Sequence, residues 1–132
     1  MRYRFLLCLL SFFAIACKTK PLQSPPQVKP NALLFNTWVN ENEKDTFNTI
    51  HYRPTQFSLP RSRGRQSMQF NQDGVVVSQD IAPACGFETN TGKWKMLPNG
   101  QIELRFPQKP SKNDTIAIIS ITKDLLIIKT NP

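Results

Sequence analysis

Four arginines and the only histidine of the chain lie together between Ile50 and Gly74. No Asp or Glu occurs between Thr46 and Gln72, so these positive charges have no acidic partner nearby in the sequence. Arginine binds carboxylates, phosphates and sulfates through a planar set of N–H donors. The stretch therefore predicts either ion pairs with distant carboxylates or a surface that binds an anion or a partner protein. The candidate residues are Arg53, Arg61, Arg63 and Arg65.

The four arginines are not expected to have the same environment. Arg53 precedes Pro54 in a predicted strand, and we expect it to be paired and structural. Arg61 lies in a predicted loop before Gly64, and we expect it to be exposed. The carboxylates considered as partners on neighbouring strands are Asp73, Glu88 and Glu103.

The residue types needed for catalysis or metal binding are scarce. His51 is the only histidine and has no nucleophile motif near it, so a Ser-His-Asp arrangement is not indicated. One histidine and one free cysteine do not make a metal site. We therefore expect no enzyme activity, metal or cofactor, and interpret His51 as a surface or packing residue. Cys85 lies among small apolar residues and is either a buried side chain or, if exposed, a thiol able to form an intermolecular disulfide.

The N-terminus reads as a targeting segment. Arg2 and Arg4 precede an uncharged apolar run that is too short to span a bilayer of about 30 Å. The run ends in Ala14-Ile15-Ala16-Cys17, which resembles the bacterial lipobox. The resemblance implies a signal peptide over residues 1–16 and lipid attachment to Cys17. The alternative is an ordinary secretory signal peptide that is cleaved near Ala16 and leaves Cys17 unmodified.

Residues 17–31 are rich in proline and lysine and predict a flexible tether between the lipid and a domain at 32–132. Loss of Arg2 and Arg4 would lower the net charge from +8 to +6. The expected location is the bacterial outer membrane, on its periplasmic or cell-surface side. Partners there would be the membrane itself and an envelope protein or anionic ligand, not nucleic acid.

Short runs of β-forming residues separated by Gly, Pro and Asn turns recur from Ala32 onward, without sustained helical periodicity. They predict about eight antiparallel strands, the first at 34–41 and a short extended piece at 57–60. Gly74 ends the hairpin signal Asn71-Gln72-Asp73-Gly74. A meander of this size with an early tryptophan predicts an all-β fold that closes into a small barrel.

Three short motifs follow one another along the chain: Trp38 in the first strand, Phe70-x-x-Asp73-Gly74, and Gly92-x-Trp94. Together they resemble the lipocalin-like lipoprotein domains of Bacteroidetes-type bacteria. The resemblance implies a β-barrel without a catalytic residue. Trp38 and Trp94 are interpreted as core residues, or as the floor of a ligand cavity.

Two functions remain open at this point. One is a membrane-anchored binding or interaction module that docks on an envelope component through its basic loop. The other is a lipocalin-like protein that binds a small apolar or anionic molecule inside the barrel. An eight-stranded barrel can be filled by side chains or hold one small ligand. The many large apolar residues favour a filled interior, and the members of this set are Phe35, Phe47, Phe57, Met68, Phe70, Phe87, Met96 and Phe106.

Overall fold

The computed structural model describes residues 28–130. The signal segment at 1–16, Cys17 and most of the 17–31 tether therefore lie outside the described residues, so these predictions stay predictions. No helix within the described part is long and apolar enough to cross a membrane.

Eight antiparallel strands form a closed barrel, which confirms the all-β prediction. Three short 3-10 turns, at Ala32–Leu34, Asn42–Lys44 and Pro110–Lys112, are the only helical segments of the described chain. The strands are β1 (Thr37–Asn40), β2 (Thr49–Pro54), β3 (Ser67–Phe70), β4 (Val75–Ala82), β5 (Gly86–Met96), β6 (Ile102–Arg105), β7 (Asp114–Ile121) and β8 (Leu126–Thr130).

The first two strands exchange places relative to a strictly sequential meander. β1 lies between β2 and β3, and β2 closes the barrel by pairing with β8. Because β2 and β3 run in the same direction on either side of β1, the chain must return along the barrel between them. Residues 55–66 make this return, and they carry three of the four candidate arginines.

One end of the barrel is closed by aromatic packing. The 3-10 turn before β1 places Leu34 in the core, where its carbonyl accepts a hydrogen bond of 3.1 Å from the Trp38 indole. The Trp94 ring packs edge-on against Phe70, with the ring centroids 5.7 Å apart, and against Phe35. These contacts exclude water from the end of the barrel at which β1 begins.

Two predicted extended segments have a different structure. The predicted first strand is helical at its start, because the Asn31 side chain caps the 3-10 turn by accepting from the Leu33 amide. The stretch at 57–60 pairs with no strand; a turn ends β2 at Pro54, whose carbonyl accepts from the Phe57 amide at 2.9 Å.

The large apolar side chains that the sequence assigns to a filled interior are divided between two environments, and Phe70 and Phe106 are the ones that lie in the core. Three of the large apolar side chains that were to fill it point to solvent: Phe47 is 95% exposed, Phe57 40% and Phe87 53%. All three lie in loops or at the end of a strand, where alternation does not direct a side chain inward. The barrel interior therefore has fewer large side chains than the composition implies.

Candidate functional site

A cavity of about 490 Å³ opens at the end of the barrel opposite the tryptophans. This volume lies within the range of about 300–1,000 Å³ that is typical of small-molecule sites. Its apolar wall consists of Ile50, Met68, Leu104, Phe106, Ile116 and Ile128. Its polar wall consists of Tyr52, Ser111, Lys112, Asn113, Asp114 and Thr130.

Lys112 links the open end of the barrel to β4. It lies in the β6–β7 loop, and its ammonium group donates to Ser78 Oγ at 3.0 Å and to the carboxylate of Asp80, both on β4. Asn90 on β5 donates to the same carboxylate at 2.9 Å. The ammonium also lies 5.3 Å from the centre of the Phe106 ring. The positive charge of Lys112 is thus neutralised within the protein.

A second ion pair holds the same loop. Lys109 Nζ lies 2.8 Å from Glu88 Oε2, and this hydrogen bond raises the pKa of the lysine. Glu88 is the cross-strand neighbour of Asp80, so two adjacent carboxylates on the β4–β5 hairpin each bind a lysine of the β6–β7 loop. The loop therefore forms a strap over one side of the cavity and shapes its opening.

Tyr52 lies at the polar wall with its ring in the core. The residue is only 5% exposed, and among the described residues its hydroxyl makes no hydrogen bond. Burial raises the pKa of this hydroxyl, and the negative charges of Asp45 and Asp80 raise it further. The group is thus a neutral hydroxyl on a residue that lines the cavity.

Asp114 contributes a carboxylate that has no cationic partner among residues 28–130. It pairs in register with Leu104 and has the same parity as buried Ile116, so it belongs to the inward face of β7. One of its oxygens accepts the Thr115 amide at 2.7 Å. Of the two charged residues that line the cavity, Lys112 is bound to Asp80, whereas Asp114 has no ion-pair partner within residues 28–130.

Arg53 is a structural residue of the barrel wall. Its Nε lies 2.7 Å from Glu41 Oε2, and its guanidinium donates to the Asp124 carbonyl and stacks over the Phe57 ring. Glu41 lies just after β1, beside the strand that carries Arg53. The partner therefore comes from the end of the preceding strand and is not one of the three carboxylates expected from the sequence.

Arg65 is also paired, in a bidentate arrangement. Its two terminal nitrogens lie 2.9 and 2.6 Å from the Glu43 carboxylate and also donate to the carbonyls of Asn40 and Pro60. The hydrogen bonds from Arg65 lower the pKa of Glu43 to about 2. Arg65 therefore ties the returning segment 55–66 to the β1–β2 connection.

Arg61 and Arg63 are exposed and form no ion pair with any described residue. The chain between and after them packs on the β4–β5 hairpin: a Cβ at Gly64 would lie 3.3 Å from the Ile81 side chain. Ile81 and Phe87 are themselves about half exposed there. Ile81 and Phe87 are together called the apolar rim. Of the four candidate arginines, two are thus paired, and the two exposed ones lie beside the apolar rim.

Neither candidate tryptophan lines the open cavity. Trp38 and Trp94 close the other end, and the Trp94 indole donates to the Asn71 carbonyl at 3.0 Å. The walls that reach the cavity come instead from Met68, Leu104 and Phe106. The core interpretation of both tryptophans fits their contacts, and the floor interpretation does not.

The remaining reactive groups lie outside the barrel interior. Cys85 is exposed at the apex of the β4–β5 hairpin with a φ of 60°, so its interpretation as a buried side chain is wrong. The His51 side chain lies on the outer face of β2, with Nδ1 3.8 Å from Asp45. Across residues 28–130, no group of three or more His, Cys, Asp or Glu side chains is arranged to hold a metal ion.

Sequence reasoning missed the polar residues of the cavity. A signal exists for the polar group that holds Lys112: Ser78, Asp80 and Asn90 occupy positions that alternation assigns to the inward face of their strands. Polar side chains at inward positions are costly to bury without partners, so their presence indicates a polar or open interior. Lys112 and Asp114 had no such signal, because the β6–β7 loop leaves their orientation open.

Comparison of the chain with known proteins finds no relative. No family model, no curated protein and no solved structure matches it. Evidence for a function therefore comes from the barrel and its cavity.

Proposed function

We propose that this protein is a membrane-anchored lipoprotein that binds a small amphipathic molecule in the open end of its barrel. The observation that carries the proposal is the cavity of about 490 Å³, with an apolar wall and the free hydroxyl of Tyr52. Apolar pockets with a few convergent polar groups are the usual form of small-molecule sites.

We further propose that the barrel is a lipocalin-like domain of the type found in lipoproteins of Bacteroidetes-type bacteria. Its support is the eight-stranded closed barrel together with the buried Trp38 after a 3-10 turn. Lipidation of Cys17 would anchor the domain, which we assign to the bacterial outer membrane, on the periplasmic or cell-surface side. Its proposed activity there is binding and not catalysis.

The test is binding of the neutral, environment-sensitive dye Nile red to the full-length protein carrying Cys17→Ser. This substitution removes the proposed lipid acceptor, so that no competing detergent is needed. Thr130 lines the cavity at the end of β8, and Thr130→Trp should block it and abolish saturable dye binding. The matched control is Thr91→Trp, because Thr91 is exposed on the outer face of β5.

Fluorescence titration gives the dye affinity, and thermal unfolding by circular dichroism shows that both variants are folded. Equal dye binding by the two tryptophan variants would contradict binding in the cavity. Absence of dye binding by the protein that carries only Cys17→Ser would contradict the proposed function.

A second candidate function is docking on an envelope protein through the apolar rim and the neighbouring Arg61 and Arg63. Its specific support is the exposure of Ile81 and Phe87, which together with two unpaired arginines have the composition of a protein contact surface. This surface lies outside the barrel, so Thr130→Trp would leave docking intact.

A further inference from the structure

The cavity lining lacks the basic excess of the whole chain. The sequence has a net charge of +8, which favours anionic partners. The cavity wall, however, presents one unpaired carboxylate, Asp114, and one lysine that is already bound to Asp80. The Asp114 carboxylate is therefore the charged group of the described lining that is left for the polar group of a ligand.

Among the described residues that line the cavity, an anionic head group would find no free cation. Lys112 already donates to Ser78 and Asp80, and recruiting it would leave the Asp80 carboxylate without its ion-pair partner. Arg61 and Arg63 do not line the cavity. They are exposed to solvent, where salt screens their charges over about 8 Å at physiological ionic strength.

A cationic head group finds several matching groups in the same space. The Asp114 carboxylate accepts charge-assisted hydrogen bonds, and the unpartnered Tyr52 hydroxyl can accept a further one. The ring of Tyr52 lines the same cavity, and aromatic faces attract ammonium groups. In the same cavity, Ile50, Leu104 and Ile128 belong to the apolar wall.

We infer that the natural ligand class is a small amphipathic amine, whose ammonium group is bound by Asp114 and Tyr52 and whose apolar part enters the barrel. This rests on the proposed function, because it names the ligand class of the same cavity. It replaces the apolar or anionic ligand expected from the sequence.

The test compares the affinities of three six-carbon ligands whose head groups are positive, neutral and negative: hexylammonium, hexanol and hexanoate. Each is titrated by isothermal calorimetry into the full-length protein carrying Cys17→Ser, at neutral pH and physiological salt. Hexylammonium should bind on the order of tenfold more tightly than hexanol, as one charge-assisted hydrogen bond would give. Hexanoate should bind more weakly than hexanol.

Two variants show which residues cause the preference for hexylammonium. Asp114→Asn keeps the size of the side chain and should bring the affinity for hexylammonium down to that for hexanol. Tyr52→Phe should weaken both hexylammonium and hexanol. Asp124→Asn is the matched control, because this carboxylate is exposed on the β7–β8 turn and away from the cavity, and it should change nothing.

The outcomes separate the two proposals. If hexanol binds but hexanoate equals or exceeds hexylammonium, the amine inference is overturned while ligand binding stands. An ammonium preference that survives Asp114→Asn also overturns the inference. If none of the three ligands binds, both the inference and the proposed function fail.

Discussion

At the scale of single residues, the paired arginines of this protein hold neighbouring segments of the barrel together. Arg53 and Arg65 bind Glu41 and Glu43, two carboxylates at the end of β1 and in the connection that follows it. The acid-free run from Thr46 to Gln72 is thus compensated from the preceding turn of the chain. Arg61 and Arg63 have no such partner among the described residues and remain available at the surface.

The difference between these arginines predicts different costs of removal. Arg53→Ala would leave Glu41, whose side chain is 12% exposed, without its ion-pair partner, and should lower the free energy of unfolding by about 2–3 kcal/mol. Arg61→Ala removes an exposed side chain and should cost under about 0.5 kcal/mol. Urea unfolding at neutral pH measures both. Equal destabilisation by the two substitutions would show that the loop at Arg61 is not an exposed basic surface.

At the scale of elements, β5 depends on a close approach between neighbouring segments. A Cβ at Gly92 would lie 2.4 Å from the Arg105 carbonyl and 2.7 Å from the Phe106 ring. This contact places Phe106 on the inner face of β5, where its ring forms a wall of the cavity and lies beneath Lys112. The absence of a side chain at Gly92 is therefore part of how the cavity is shaped.

Gly92→Ala should destabilise the barrel by about 3 kcal/mol, at the upper end of typical overpacking costs, because backbone at Arg105 must move. Gly86→Ala is the control on the same strand, since a Cβ there meets nothing within 4 Å. Thermal and urea unfolding of the two variants give the comparison. A Gly92→Ala protein as stable as Gly86→Ala would contradict the close packing of β5 on Phe106.

The β6–β7 loop is the second element that decides the site. Its two lysines bind adjacent carboxylates of the β4–β5 hairpin, and so hold the strap over the cavity. Asp80 and Glu88 stand opposite each other, and like charges at such positions repel unless cations compensate them. The strap and the hairpin therefore stabilise each other electrostatically.

At the scale of the whole molecule, the barrel has one end closed by tryptophans and one end open. The described chain enters at the closed end, where the 3-10 turn precedes β1. A lipid attached to Cys17 would thus connect to the barrel on the side away from the cavity opening. The opening would remain accessible to molecules in the surrounding aqueous phase.

Lipid attachment is tested by Cys17→Ser in the producing bacterium. The substitution should abolish metabolic labelling by radioactive palmitate and release the protein from membranes, because the acyl chains supply the anchoring energy. The matched control is Cys85→Ser, since Cys85 is the exposed cysteine at the hairpin apex and should not affect labelling. Unchanged labelling of the Cys17→Ser protein would contradict the lipoprotein assignment.

The sequence by itself determined the fold class and most of the strands. Alternation of apolar residues is a local property, so the order of residues along the chain is enough to assign Ile102, Leu104 and Phe106 to one buried face. Turn residues such as Gly74 marked the hairpins for the same local reason. The division into a structural Arg53 and an exposed Arg61 also followed from their neighbours in the chain.

Only the tertiary structure decided what the interior contains. The position of β1 between β2 and β3 brings Glu41 to Arg53, and the course of the β6–β7 loop brings Lys112 to Asp80. Both contacts join segments whose relative placement depends on barrel closure, which no local pattern specifies. Outward-facing Phe47, Phe57 and Phe87 leave space that the composition seemed to fill. The open cavity, and with it the proposed ligand site, exists because of these long-range placements.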